Sequence, residues 1–502
     1  MLLFAVLITC KLFSVYLLPT NRDAGNKKIK NKPLSKRKFK PYVLENIEIL
    51  SAGSEGKAIA KHEGQVIFVD FAVPGDVVDL FIHNKKKSFC FGRIHKMITP
   101  SVERVEPFCE HFGTCGGCKW QHMSYPIQLK YKQQQVIDAF ERIGKFPFPT
   151  PENIIGSEKI THYRNKLEFT FTDKKWLETL DNKDELSEAE HKGLGFHIPG
   201  KFDKILDVQK CYLMDDLHNQ IRNAIKDFCV KNEYPFFNAR SQDGFMRNMI
   251  LRNTSLNDWM LIVIFKDNQE DRINALMEYL KETFPQITSL LYVVNGKQND
   301  TIYDLDVNVF AGKPFMVEQL EDLKFNIQPK SFFQTNTEQT FNLYNEARKM
   351  ANIQSHETVY DLYTGVGSIA NFVAKQALTV VGIESVEQAI IDAKENSAIN
   401  QITNTHFYAG DMKDVLNDEL IAKHGKPDVI ITDPPRAGMH PDVIEKMLEL
   451  RAPRIVYVSC NPASQARDIA MMQEHYKVTK VQAVDMFPHT HHVECVALLE
   501  LI

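Results

Sequence analysis

The sequence predicts an α/β protein of several domains: an N-terminal β-barrel, a central α+β region and a doubly wound C-terminal sheet. Three observations carry that expectation. The 502 residues are too many for one ordinary core and imply about three domains of ~150 residues each. Short alternating apolar runs separated by turn residues fill positions 42–100, and from about position 337 strands alternate regularly with helices. A composition of 44% hydrophobic and 25% charged residues excludes collagen-like, wholly disordered and polytopic membrane chains.

Residues 1–18 form an apolar run broken by Lys11. It is short of the ~20 residues that span a bilayer, and no positive residue precedes it as in a secretory leader. A membrane anchor and a dispensable extension are the two readings, and both leave the chemistry in the cytoplasm. Residues 22–40 carry nine Lys or Arg against Asp23, a net of +8, so the rest of the chain carries −12 of the total −4. Residues 1–40 are therefore read as a disordered apolar and basic extension, useful as an RNA-phosphate arm only if other features point to RNA.

The runs 43–50, 57–62, 65–69, 76–82 and 89–98 suit a five-stranded barrel over residues 41–102. Residues 103–330 mix strands (166–172, 195–197, 249–253, 260–266, 289–294) with helices (125–143, 213–231, 269–283), and the charge-dense stretch 174–192 reads as a surface loop. Residues 331–502 form the doubly wound sheet. Its strands are expected at 358–362, 379–384, 405–409, 429–432, 454–458, 478–486 and 492–501, and ligands of such sheets sit at the carboxyl ends of the strands.

Four groups of residues carry chemistry. After the strand 358–362 comes Asp361-Leu362-Tyr363-Thr364-Gly365-Val366-Gly367, which lacks the third glycine of a dinucleotide fingerprint. That turn suits S-adenosylmethionine, which has no pyrophosphate to cradle. Glu384, 23 residues on, can accept both ribose hydroxyls, and Asp411 after the third strand suits the adenine edge. Asp433-Pro434-Pro435-Arg436 ends an apolar strand with a carboxylate on a rigid turn. Cys460, in Ser459-Cys460-Asn461-Pro462, stands where a thiolate nucleophile would face the ligand crevice. A thiolate serves carbon 5 of a pyrimidine, which becomes nucleophilic only after covalent addition at carbon 6. A base must then remove the carbon 5 proton, and Glu494 is placed for it. Finally, Cys109-x5-Cys115-x2-Cys118 has metal-ligand spacing, with Cys211 the leading fourth ligand ahead of Cys90 and Cys229. Spacing does not separate zinc from a 4Fe–4S cluster. His489, His491 and His492 lack a partnered carboxylate or cysteine pattern and are not read as a metal site.

From Tyr42 to the C-terminus these residues resemble the S-adenosylmethionine-dependent RNA (uracil-5-)-methyltransferases. The resemblance rests on the barrel, the cysteine spacing, Phe332-Phe333-Gln334, Asp433-Pro434-Pro435-Arg436, Ser459-Cys460-Asn461-Pro462, and Asp485-Met486-Phe487-Pro488-His489-Thr490 ahead of Glu494. It implies a TRAM-type barrel and a 4Fe–4S cluster on Cys109, Cys115, Cys118 and Cys211. S-adenosylmethionine would be held by Gln334, Tyr363, Glu384 and Asp433, with Cys460 as nucleophile and Glu494 as base. Barrel and cluster together are typical of the family's 23S rRNA enzymes, whereas its tRNA enzymes usually lack both. The implied partner is thus 23S rRNA, with no stable protein partner and a cytoplasmic monomer as the acting form. Tyr363-Thr364, Ser368, Pro435 and His491 depart from the family's usual residues, and none of them removes a reacting group. Two other readings are a methyltransferase acting on an exocyclic amine, disfavoured by Arg436 after Pro435, and a non-catalytic RNA-binding Fe–S protein.

Overall fold

The computed structural model describes residues 39–178 and 186–502. The expected extension over residues 1–40 lies outside the described residues apart from Phe39 and Lys40. Among the described residues no helix is long and apolar enough to cross a membrane.

Five strands, β1 (Tyr42–Ala52), β2 (Ala58–His62), β3 (Gln65–Asp70), β4 (Val77–Lys85) and β5 (Phe89–Thr99), close into a barrel in the order β1-β2-β3-β5-β4. Alternation along each strand sends every second side chain inward, so Val78, Leu80 and Ile82 of β4 fill the interior. Asp76 anchors the barrel to the chain beyond it. Its buried carboxylate accepts the backbone N–H of Val73 at 2.7 Å and of Ser101 at 2.9 Å, and pairs with Arg104.

The next sheet comprises β6 (Lys166–Thr172), β7 (Gly193–His197), β8 (Ile205–Asp207), β9 (Met246–Asn253), β10 (Trp259–Phe265), β11 (Ser289–Val294) and β12 (Asn308–Gly312), ordered β12-β11-β10-β9-β6-β7-β8. Every residue of β10 is buried, as its unbroken apolar run requires of a central strand covered on both faces. β8 and β12 escape sequence reading. The first spans three residues, too few to alternate, and the second is an edge strand with no buried face. A hairpin of β13 (Met316–Leu320) and β14 (Leu323–Ile327) is hidden for another reason: its tight turn puts Glu321, not glycine or asparagine, at φ 52°.

Three helical expectations need correction. The helix expected over 125–143 is α-helical over Tyr125–Ala139 and continues as a wider π turn to Gly144. The helix expected from 213 begins at Leu217, because Asp215 accepts the N–H of Leu217 and turns the chain first. Stretch 174–192 is not all loop: Ser187 and Glu190 cap each other's backbone and nucleate the short helix Glu188–His191.

The C-terminal sheet contains β15 (Thr358–Leu362), β16 (Thr379–Glu384), β17 (Thr405–Ala409), β18 (Val429–Thr432), β19 (Arg454–Ser459), β20 (Tyr476–Val484) and β21 (Glu494–Leu501), ordered β17-β16-β15-β18-β19-β21-β20. The first five are parallel, and β21 inserts antiparallel between β19 and β20. One apolar cluster runs from Met260, Ile262 and Ile264 of the central sheet into Val359, Val429 and Val456 of this one. The two sheets therefore share a core, and the space between them has fixed walls.

On the opposite face Val136 and Phe140 pack against Tyr360, Ile430 and Ile455. This packing buries Lys132, whose ammonium meets the Asp485 carboxylate at 2.5 Å with both side chains fully buried. Lys132→Met would leave an unpaired carboxylate in the interior and is expected to destabilise the protein by about 3–5 kcal/mol. Urea unfolding checks this, and an unchanged midpoint would contradict it.

Candidate active site

Strand order decides the site. Reading across the carboxyl ends from β16 to β21 gives Glu384, Tyr363, Asp433, Cys460 and Glu494 in a row, each at or just beyond the end of its own strand or, for Glu494, at the start of the antiparallel one. The chain reverses its winding direction between β15 and β18, the place where sheets of this kind bind ligands. A cavity of about 1500 Å³ opens there, and all five residues line it. Gln334 lines it too, at the end of the segment leading to the Thr337–Ala351 helix.

At the β15 end the turn is shaped for close approach of a ligand. Gly365 has φ 54°, lines the cavity, and a Cβ placed on it would meet nothing within 4 Å. Gly367 does the opposite work: a Cβ there would press on Ala393 and Asn371 at 3.0 Å, so it lets the following helix pack. The Glu384 carboxylate accepts the N–H of Gly365 at 3.3 Å and of Val386 at 3.0 Å, which orients it at the rim. Beneath the turn Asp361 is buried, accepts Thr364 Oγ1 through one oxygen, and keeps the other without a partner. Burial first of all raises its carboxyl to about 7. Open space at Gly365, an oriented Glu384 and an acidic lining fit a cationic nucleoside such as S-adenosylmethionine. Asp411 does not line this cavity. Its side chain is exposed and caps the short helix Met412–Val415.

At the other end, pairing of Ser459 with Cys495 sets Cys460 and Glu494 beside each other at one sheet edge. Burial, with the charges of Glu494 and Asp433 adding to it, pushes the Cys460 thiol up to about 12, and Arg436 works the other way. Burial raises Glu494 to about 8, reinforced by Asp433 and opposed by Arg436, and burial raises Asp433 to about 7. Asn461 Nδ2 donates to the Arg436 carbonyl at 2.9 Å, tying the cysteine turn to the turn that carries Asp433. Nothing in the sequence signals that link. Arg164 is likewise missed: it lies in no motif, yet it lines the cavity with its guanidinium 5.7 Å from the Phe487 ring.

The raised carboxyl of Glu494 has a consequence for stability. In the folded state it holds its proton to about pH 8, whereas in the unfolded chain it ionises near 4.5. Its contribution is thus fully present below pH 4.5 and is lost as pH rises through 8. Glu494→Gln removes that loss. The ligand-free variant is expected to be more stable than the parent by about 3–5 kcal/mol at pH 9 and equal to it at pH 4. Denaturant unfolding at both values checks the sign; a variant less stable at pH 9 would refute it.

Cys109, Cys115, Cys118 and Cys211 line the same cavity as free thiols. Burial first, then the charge of the others, raises Cys118 to about 12, and burial raises Cys211 to about 11. Four thiolates at that spot require a cationic partner. Among the described residues, however, no set of three or more His, Cys, Asp or Glu side chains is gathered tightly enough to hold one metal ion.

The sheet order and the cavity at the switch point, together with the likenesses that follow, define the class as an S-adenosylmethionine-dependent methyltransferase. The profile of the tRNA (uracil-5-)-methyltransferase family matches residues 253–502. An uncharacterized RNA methyltransferase of Bacteroides thetaiotaomicron is 54% identical over 451 residues, covering 89% of this chain and 99% of its own. One from Porphyromonas gingivalis is 50% identical, covering 90% and 99%. The crystal structure of Pyrococcus abyssi tRNA (uracil-54, C5)-methyltransferase with S-adenosyl-L-homocysteine superposes with a TM-score of 0.69 at 28% identity, covering 90% of this chain and all of that one. The chain belongs to the RNA (uracil-5-)-methyltransferase family and is an S-adenosylmethionine-dependent enzyme.

Proposed function

We propose that this enzyme methylates carbon 5 of a uridine in 23S rRNA, with Cys460 as nucleophile and Glu494 as base. The observation that carries the chemistry is the adjacency of Cys460 and Glu494 at one edge of a cavity whose other end presents Gly365 and Glu384. The uridine leaves its stack and enters the cavity, where the exposed ring of Phe332 can stack on a base. The Cys460 thiolate forms a bond to carbon 6, and the electrons of the 5,6 double bond move to carbon 5. Carbon 5 bonds to the methyl of S-adenosylmethionine, held by Gln334, Tyr363, Glu384 and Asp433, as the methyl–sulfur bond breaks and S-adenosylhomocysteine leaves with that electron pair. Glu494 then takes the carbon 5 proton, the double bond re-forms and the bond from carbon 6 to sulfur breaks, returning Cys460. The balance is one methyl gained by the base and one proton passed by Glu494 to solvent.

Cys109, Cys115, Cys118 and Cys211 would hold a 4Fe–4S cluster that serves as a fixed scaffold for the RNA end of the cavity. All four are half-buried along one cavity, and the charges of Cys109, Cys115 and Cys211 all bear on Cys118, which supports this reading. The organisation proposed with it is a TRAM-type barrel over 41–102, a central cluster and RNA-binding region over 103–330 and a methyltransferase domain over 331–502, acting as a cytoplasmic monomer. The combination of barrel and cysteine quartet supports rRNA as substrate. Transfer to tRNA is the second reading, favoured by the likeness to the Pyrococcus tRNA enzyme.

The test is transfer of tritiated methyl to unmodified total RNA, size-separated and digested to nucleosides. The expected result is label in 5-methyluridine from the large ribosomal RNA. Label in tRNA would replace the substrate and keep the chemistry, and label in a nucleoside other than 5-methyluridine would overturn the chemistry.

A further inference from the structure

The loop between β20 and β21 delivers Glu494, and it is held from far away in sequence. His489, at the centre of that loop, adopts φ 66°, a conformation that a side chain rarely takes unless its surroundings impose it. Its carbonyl accepts the N–H groups of Lys119 at 2.9 Å and Trp120 at 3.0 Å, the two residues after Cys118. Its own N–H donates to Gln128 Oε1 at 2.8 Å, and its ring Nδ1 lies 3.1 Å from Gln128 Nε2. The same Nε2 donates to the carbonyls of Trp120 at 3.0 Å and Met123 at 2.9 Å. Gln128 is wholly buried, so water cannot replace any of these bonds. One residue earlier, Tyr163 donates its hydroxyl to the Pro488 carbonyl at 2.9 Å.

We propose that Gln128 is a positioning residue for Glu494: one buried amide locks the turn after Cys118 to His489 and so fixes where the last strand begins. Four residues separate His489 from Glu494, and Thr490 and His492 among them line the cavity, so release of His489 loosens the approach to the base while the pairing of Ser459 with Cys495 still holds the Cys460 turn. The cysteine-bearing loop and the catalytic base then move as one body. The proposal rests on the reading of Glu494 as the base.

Its signature is a defect in proton removal with nucleophilic addition intact. Gln128→Leu is expected to lower kcat about 100-fold, to leave the affinity for S-adenosylmethionine and the KM for RNA within threefold, and to accumulate a covalent protein–RNA adduct in denaturing gels. Tyr163→Phe removes a single bond to the same loop and is expected to give the same signature at severalfold; it carries the test if Gln128→Leu does not fold. Glu494→Gln is run beside them. Should Glu494→Gln trap adduct while neither other variant does, or should both turn over at the parental rate, the positioning role falls and the base assignment stands. Should Glu494→Gln itself trap none, the base assignment fails and the proposal fails with it.

Discussion

Cys460→Ala protein is expected to bind S-adenosylmethionine as the parent does and to transfer no methyl to RNA, with kcat/KM down by at least about 10⁴-fold. The size follows from the substrate. Carbon 5 of uracil is electron-poor until something adds at carbon 6, so removing the sulfur removes the step that creates the methyl acceptor. Cofactor affinity should survive because Glu384, the Gly365 turn and Asp433 stand on other strands. Cys460→Ser is expected to fail almost as completely, since an alkoxide is harder to form than a thiolate already raised to about 12. Filter binding with labelled cofactor and single-turnover methyl transfer measure the two quantities separately. Methylation by Cys460→Ala at the parental rate would rule out covalent catalysis through this residue.

Glu494→Gln should arrest the reaction one step later. Glutamine keeps the shape and removes the proton acceptor, so sulfur adds and the methyl arrives, but carbon 5 retains its proton. Elimination then stops, and protein and RNA stay joined through the bond from Cys460 to carbon 6. Turnover is expected to fall by about 10²–10⁴-fold, with a slow-migrating, ribonuclease-sensitive band in denaturing gels and tritium from the methyl group within it. The double variant with Cys460→Ala should show no band. Lost turnover without any adduct in the single variant would take the base role away from Glu494.

Local periodicity made much of this molecule legible. The barrel strands alternate, so each inward face could be counted from sequence, and the strands at 358–362, 379–384, 405–409 and 429–432 coincide with those observed, with 358–362, 379–384 and 429–432 dominated by buried apolar residues. What stayed hidden had no local signal. Strands Ile205–Asp207 and Asn308–Gly312 are too short or too exposed to alternate, and the hairpin at Glu321 turns without glycine. The helices Met412–Val415 and Asp418–His424 are shorter than a periodicity needs. Asp411 follows the third strand as expected, and there its carboxylate also caps the next helix.

By itself, the sequence placed the proposed reacting groups at strand ends, because each lies next to a strand end and that relation is local. Tertiary structure alone decided their neighbours. The order β16-β15-β18-β19-β21 lines up Glu384, Tyr363, Asp433, Cys460 and Glu494, and no spacing along the chain encodes that order. Likewise, the structure alone buried Lys132 against Asp485 and seated Gln128 on His489. Residues joined across 353 and 361 positions meet only when the helix Tyr125–Ala139 packs on the far face of the C-terminal sheet, and the energy that seats them comes from burial of that whole face, which no short window of sequence contains.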